Sequence, residues 1–480
     1  MTKPTVTANH APASLARLPS EIISMVVRYL DVQRFSNKFV LSAICSRWRD
    51  TVIADQWIWA DIYLTVPPQN VDLLALALKR AGQSALSVGI LFEFGPRDDQ
   101  LTDAMKYLAT CTATVRHLRL EFMFMERQLD FFLSGAHFPE LLSLTLASHG
   151  GHPVHLDLTM PKLQYIEING GVPFSQWTPL LGQCTETVIL KGDVPILDFW
   201  DFYKGCEDRN IPLAHLEFDA FCEVEPAILS DVYGRPPIYL PTMRRLDASS
   251  YGVSEIRRAI PTDPLAHILV YNCFPDSSVY NLWQIWRPEE RAITRICVSP
   301  DWEIDLEGTC PELAHFKRSL RIGIGPMVSP ASIHVNLLEA IQEDVPTLDK
   351  LASIAIPLRL WAEFIEFSQE RPFAVAGLRM EFFFEGTEAC QWEGMKAKCP
   401  KLVELTVRPF TPLKPSPRIS YGALRNMVGS FESVEKDVRL CVRDLSLWGN
   451  DLPPDNFTVL RRLLKVSGFP RWKPVKESTS

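Results

Sequence analysis

Residues 141–168 read LLSLTLASHGGHPVHLDLTMPKLQYIEI and contain one short phrase twice, as Leu141/Leu144/Leu146 and again as Leu163/Ile166/Ile168. The phrase is apolar-x-x-apolar-x-apolar. Its alternating tail suits a short strand, because successive side chains of an extended chain point to opposite faces and every second one meets a buried layer. The leading apolar residue begins the same layer. The phrase recurs at Val115/Leu118/Leu120, Leu213/Leu216/Phe218, Leu265/Ile268/Val270 and Leu402/Leu405/Val407, often after a proline. Looser copies occur at Met243/Leu246, Ile293/Ile296/Val298, Leu313/Phe316, Leu348/Leu351 and Val442/Leu445/Leu447. Measured at the middle position, the step is 26 residues from Leu118 to Leu144, 22 from Leu144 to Ile166 and 27 from Leu378 to Leu405. Steps in this range point to stacked repeats, each covering its apolar face with its neighbours.

The bulk properties agree with a long folded chain. At 480 residues it exceeds the size at which one core stops growing, so several domains or a solenoid are expected. The 37 prolines are spread through the chain, which implies many turns between short elements. A net charge of -8 argues against general binding to a nucleic-acid backbone, which needs a positive surface. The basic group Arg461, Arg462, Lys465, Arg471 and Lys473 reads as a solvated face. No run of 18 apolar residues occurs, so no membrane partner is expected. The opening MTKPTVTANHAPASLARLPS lacks the apolar run of a secretory signal, while Lys3 and Arg17, with no acid before Glu21, leave a transit peptide open. Eleven cysteines, an odd number without a CxxC pair, suit reduced thiols in the cytoplasm or nucleus.

Ahead of the repeats the period changes. In LPSEIISMVVRYLDVQRFSNKFVLSAICSRWRDTVIADQWIWADIYL (residues 18–64), Ile22, Val26 and Leu30 recur every four residues, with Ile23 and Val27 on a neighbouring strip. This predicts a helix with one broad apolar face, started near Pro19 and Ser20. A second helical piece is predicted through Phe39, Val40 and Ile44, and a third through Trp48 and Val52. So small a core should gain stability from a partner or from the following domain, which suits either a docking module or a cap on the repeat array.

The order of residues here resembles the F-box family in its fungal F-box-like form. The opening is Leu18-Pro19-x-Glu21-Ile22, the centre runs from Leu41 through Cys45 to Trp48-Arg49, and the exit is Ile58-Trp59 followed by Ile62 and Leu64. The chain departs from the pattern between Leu30 and Leu41, where Arg34, Asn37 and Lys38 interrupt the apolar spacing. The repeats in turn resemble degenerate leucine-rich repeats, with a generic α/β solenoid or a discrete α/β domain as alternatives. The resemblance implies an α/β protein: a short three-helix head, then a curved leucine-rich-repeat-like solenoid. The corresponding division is a flexible start (1–14), the F-box-like domain (15–64), a connecting and capping region (65–112), the repeat body (113–465) and a tail (466–480).

It also implies the substrate-recognition subunit of a Skp–cullin–F-box ubiquitin ligase. The head would bind the Skp-type adaptor, and through it cullin, while the repeats would bind a protein substrate. Leu18, Pro19, Ile22 and Ile23 would then lie at the adaptor surface, with Trp48 holding the head together. The alternative is a non-catalytic, repeat-based interaction scaffold outside the ubiquitin pathway.

On the proposed registration Thr145, Glu167, Glu217, Asp247, Arg379 and Thr406 face outward as the candidate substrate surface. Glu167, Glu217 and Asp247 could form an acidic strip, interrupted by Ile189 and Leu269. No phosphate loop, dinucleotide fingerprint, GxSxG elbow or HExxH helix is present, and no catalytic residue, cofactor or metal is expected. The acids Asp98, Asp99 and Asp103 read as a solvated turn. Cys390 and Cys399 have no standard metal-pair spacing. His149, His152 and His155 offer imidazoles in HGGHPVH, but the place after a strand phrase calls for a loop. Phe382, Phe383 and Phe384, with Trp283, Trp286 and Trp302, are read mainly as core.

Overall fold

The computed structural model describes residues 17–29, 35–66, 71–92, 98–122, 135–148, 158–169, 180–194, 196–221, 235–249, 260–262, 264–273, 292–299, 303–309, 313–322, 351–360, 378–384, 396–399, 401–410, 417–432, 437–448, 458, 460–461, 464–465 and 472–474. They fall into two compact units, Met1–Met243 and Arg244–Ser480.

In the first unit seven strands form one sheet: β1 (Asp61–Val66), β2 (Leu86–Phe92), β3 (Val115–Phe122), β4 (Ser143–Ser148), β5 (Tyr165–Asn169), β6 (Thr187–Val194) and β7 (His215–Phe221). Each lies parallel to the next in chain order. The register aligns Ile62, Val88, Leu118, Leu144, Ile166, Val188 and Leu216 in one row, so the sequence steps by 22–30 residues per strand. Two residues further along each strand runs a second row, from Leu64 through Leu120 and Leu146 to Phe218, and both rows are buried throughout. A third buried row, two residues further still, carries Val66, Phe92 and Phe122, where the two rings stack at 5.1 Å.

Period-2 burial explains why this register is held: a slip of one residue would turn both rows to solvent. Backbone bonds extend the stack into the turns, from Leu142 N to Arg116 O, Gln164 N to Leu142 O, Glu186 N to Gln164 O and Ala214 N to Glu186 O. A threonine hydroxyl repeats as a second tie. Thr185 donates to the Leu163 carbonyl at 3.0 Å, and Thr242 donates to the Leu213 carbonyl at 2.9 Å.

The second unit has ten strands in its main sheet: β8 (Arg245–Ser249), β9 (His267–Cys273), β10 (Ala292–Val298), β11 (Glu303–Thr309), β12 (Phe316–Ile322), β13 (Ser353–Pro357), β14 (Leu378–Phe384), β15 (Leu402–Pro409), β16 (Val438–Val442) and β17 (Trp472–Pro474). Their spatial order is β8-β9-β12-β11-β10-β13-β14-β15-β16-β17, parallel except that β11 runs antiparallel to both neighbours. The Ile293/Ile296/Val298 and Phe316 phrases are therefore separated by β11 instead of stacking directly. The core row passes from Leu246 and Ile268 through Arg318 and Leu306 to Ile296, Ile354, Met380, Leu405 and Leu440. Arg318 is a buried cation in an apolar row. It donates to the carbonyls of Thr262, Ala266 and Lys317 and lies 5.1 Å from the Phe316 ring centre.

Among the described residues the helices are short: α1 (Ser20–Tyr29), α2 (Phe35–Ser42), α3 (Ser46–Ala54), α4 (Gln56–Ala60), α5 (Asp72–Ala81), α6 (Asp98–Ala109), α7 (Ile196–Asp208) and α8 (Tyr421–Gly429). The expected α/β class, with an F-box-like head and a leucine-rich-repeat solenoid, is overturned. The chain is a β-solenoid of parallel strands stacked about every 26 residues. The apolar phrase specifies a strand in either architecture and is silent about the return segment, where the two differ. Elsewhere short two-strand ladders join the returns, as at Ala136–His137 with Leu158–Thr159.

The N-terminal helices serve this sheet. α4 runs directly into β1, Trp59 is fully buried with its Nε1 donating to the Val52 carbonyl at 2.6 Å, and Lys38 of α2 donates to the Asp61 carbonyl at the start of β1. The helical period reflects a cap on an edge strand, which otherwise presents unpaired backbone. Ile23 and Trp48 are buried, Leu18 is half-buried, and Pro19 and Ile22 are exposed.

Candidate functional site

The side chains that alternate with the core rows make the outward face of the first unit's sheet. One row there is Asp61, Ser87, His117, Ser143, Tyr165, Thr187 and His215; the adjacent row is Tyr63, Gly89, Arg119, Thr145, Glu167, Ile189 and Glu217. Thr145 and Glu167 are register partners, and Ile189 separates Glu167 from Glu217. The other three expected face residues belong to the second unit. Asp247 is buried and paired with Arg245 at 2.6 Å, Arg379 is exposed beside Ser353 and Glu404, and Thr406 is buried between Glu381 and Cys441.

Glu167 is already engaged. It accepts hydrogen bonds from Lys191 at 2.6 Å and from the Tyr165 hydroxyl at 2.9 Å. Burial opposes its charge, but these two bonds prevail and hold the carboxyl below the usual carboxylate range. The Tyr165 hydroxyl is pushed up by burial and by the same carboxylate, and the Lys191 ammonium is raised chiefly by its bond to Glu167. The expected acidic strip is thus largely neutralised from within at Glu167.

Toward β1 the same face opens into a cavity of about 260 Å³ over strands β1–β4. Its depth comes from short side chains, Ser87 and Gly89 on one side of β3 and Ser143 and Thr145 on the other, with His117 and Arg119 standing between them. Gly89 is required here. A Cβ at that position would lie 2.6 Å from Cδ2 of Tyr63, so the ring rests directly on the glycine backbone. An irregular step at the start of β3 turns both Arg116 and His117 outward. Arg119 donates through Nε to Glu121. Of the residues lining this cavity, Thr145 alone is a sequence-predicted face position; the signal for the cavity itself is Gly89 inside the strand LSVGILF, since glycine in a strand marks a close approach.

The remaining candidates carry less. His149, His152 and His155, along with Cys390, Asp98, Asp99 and the three tryptophans at 283, 286 and 302, have side chains outside the described residues. Asp103 pairs with Lys106 at 3.0 Å, Cys399 is buried, and Phe382, Phe383 and Phe384 are buried. Among the described residues no helix is long and apolar enough to cross a membrane.

No family model matches this chain, and no curated protein matches it either. The class that the fold defines is a parallel-stranded β-solenoid with a helical N-terminal cap. The reading as the substrate receptor of a Skp–cullin–F-box ubiquitin ligase is corrected accordingly: it rested on an F-box head joined to leucine-rich repeats, and the β-solenoid is neither.

Proposed function

We propose that this protein is a non-catalytic, repeat-based interaction scaffold whose recognition surface is the outward face of the first unit's sheet. The observation that carries this reading is the register. Two rows of outward side chains run across seven parallel strands, and at about 4.8 Å per strand they span roughly 29 Å. Because the core rows beneath are buried from end to end, that face is held rigid, and a preorganised face loses little conformational freedom on binding. Extended faces of this kind are the binding surfaces of stacked-repeat proteins.

A photo-crosslinking amino acid at Thr145 or Thr187, on the face, compared with the same probe at Lys162 or Gln183, in the turns, tests the assignment. Discrete protein adducts from the face positions alone are expected. Equal labelling from face and turn positions would overturn it.

A further inference from the structure

We infer that the cavity over Gly89 receives a phosphoryl group carried by a partner segment, an inference that rests on the scaffold reading and names what part of that face recognises. The donor set points to such a group. His117 and Arg119 are two residues apart on β3 and therefore about 6.7 Å apart on the same face. Their register partners on the flanking strands, about 4.8 Å away, are Ser87 and Ser143 beside His117, and Gly89 and Thr145 beside Arg119. A guanidinium, an imidazole and three hydroxyls thus line one concavity.

These groups also have donor capacity to spare. Among the described residues Arg119 is bonded only through Nε, to Glu121, and no intramolecular hydrogen bond engages the side chains of Ser87, His117, Ser143 or Thr145. The contrast lies two strands away, where Glu167 is satisfied by two donors of its own. Three phosphoryl oxygens match a site of several convergent N–H and O–H donors, whereas a carboxylate offers only two oxygens. The counter-charges nearby are Asp61, which lines the cavity, Glu167, which acts on Arg119 from two strands away in the same row, and Glu121, which competes for Arg119. They define a sensitive test, because removing Glu121 should strengthen binding while removing Arg119 weakens it.

The experiment is calorimetric titration of the full chain with O-phospho-L-serine, and with L-glutamate and inorganic phosphate as comparison probes. Saturable 1:1 binding of phosphoserine is expected, at least tenfold weaker in Arg119→Gln and severalfold tighter in Glu121→Gln, with unchanged thermal melts. His117→Gln serves in place of Arg119→Gln if the latter alters the melt. The inference is overturned by absence of saturable phosphoserine binding, by L-glutamate binding as tightly, by inorganic phosphate binding while phosphoserine does not, or by an affinity indifferent to the Arg119 and His117 substitutions. Crosslinked partners captured from Thr187, when the unsubstituted protein has no phosphoserine affinity, would keep the scaffold and overturn this inference alone.

Discussion

Lys38 offers a direct test of how the helical cap is joined to the sheet. Its side chain is fully buried, its Nζ donates to the Asp61 carbonyl, and it sits 5.9 Å from the Trp59 ring centre. Burial, opposed only in part by the charge of Asp61, lowers its pKa from 10.5 to about 8. Between those two values the unfolded chain binds a proton that the folded chain does not, so stability rises with pH across that window. The shift corresponds to roughly 3 kcal/mol of penalty, present in full below pH 8 and relieved by about pH 10.5. Lys38→Met removes the penalty and forfeits the hydrogen bond to the Asp61 carbonyl, worth about 1 kcal/mol. The variant should therefore be more stable than wild type by about 2 kcal/mol at pH 7 and lose that advantage by pH 10.5. Urea denaturation followed by far-ultraviolet circular dichroism at several pH values measures both curves. Parallel stability profiles for the two proteins from pH 7 to 10.5 would refute the buried-lysine argument.

Other expectations concern the first sheet. Gly89→Ala should cost about 1–3 kcal/mol by pushing the Tyr63 ring off its seat, and Tyr63→Ala should suppress most of that cost in a double-mutant cycle. Leu144→Ala, at a fully buried position in the middle of the core row, should lower unfolding free energy by about 2–5 kcal/mol in the same urea assay. Glu167 has a depressed pKa, so its contribution is present above the unfolded value of 4.5 and disappears as pH falls through the lower folded value. Glu167→Gln should therefore flatten the acid limb of the stability profile, and an unchanged limb would show that the Lys191 and Tyr165 bonds contribute nothing measurable.

The strands carrying Leu118, Leu144 and Ile166 were legible in the sequence because they depend on local alternation. Leu118, Leu144 and Ile166 recur with the pattern of one buried face, and the structure sets them side by side in parallel strands. The outward orientation of Thr145, Glu167 and Glu217 follows from the same parity. The resemblance drawn from residues 18–64 failed because helical periodicity reports an apolar face and not what covers it; here α1 packs on α3 and α4, while α2, α4 and α5 meet β1. The sequence could not tell an α/β repeat from a β-solenoid, since the phrase specifies the strand and leaves the return segment open. Only the tertiary structure decided that β11 runs antiparallel between β10 and β12, that Lys38 and Arg318 are buried, and that Glu167 is satisfied by Lys191, 24 residues away. The cavity belongs to this second group. Tyr63, Gly89, Arg119 and Thr145 come from four different strands, and their meeting depends on long-range pairing that no local pattern in the chain encodes.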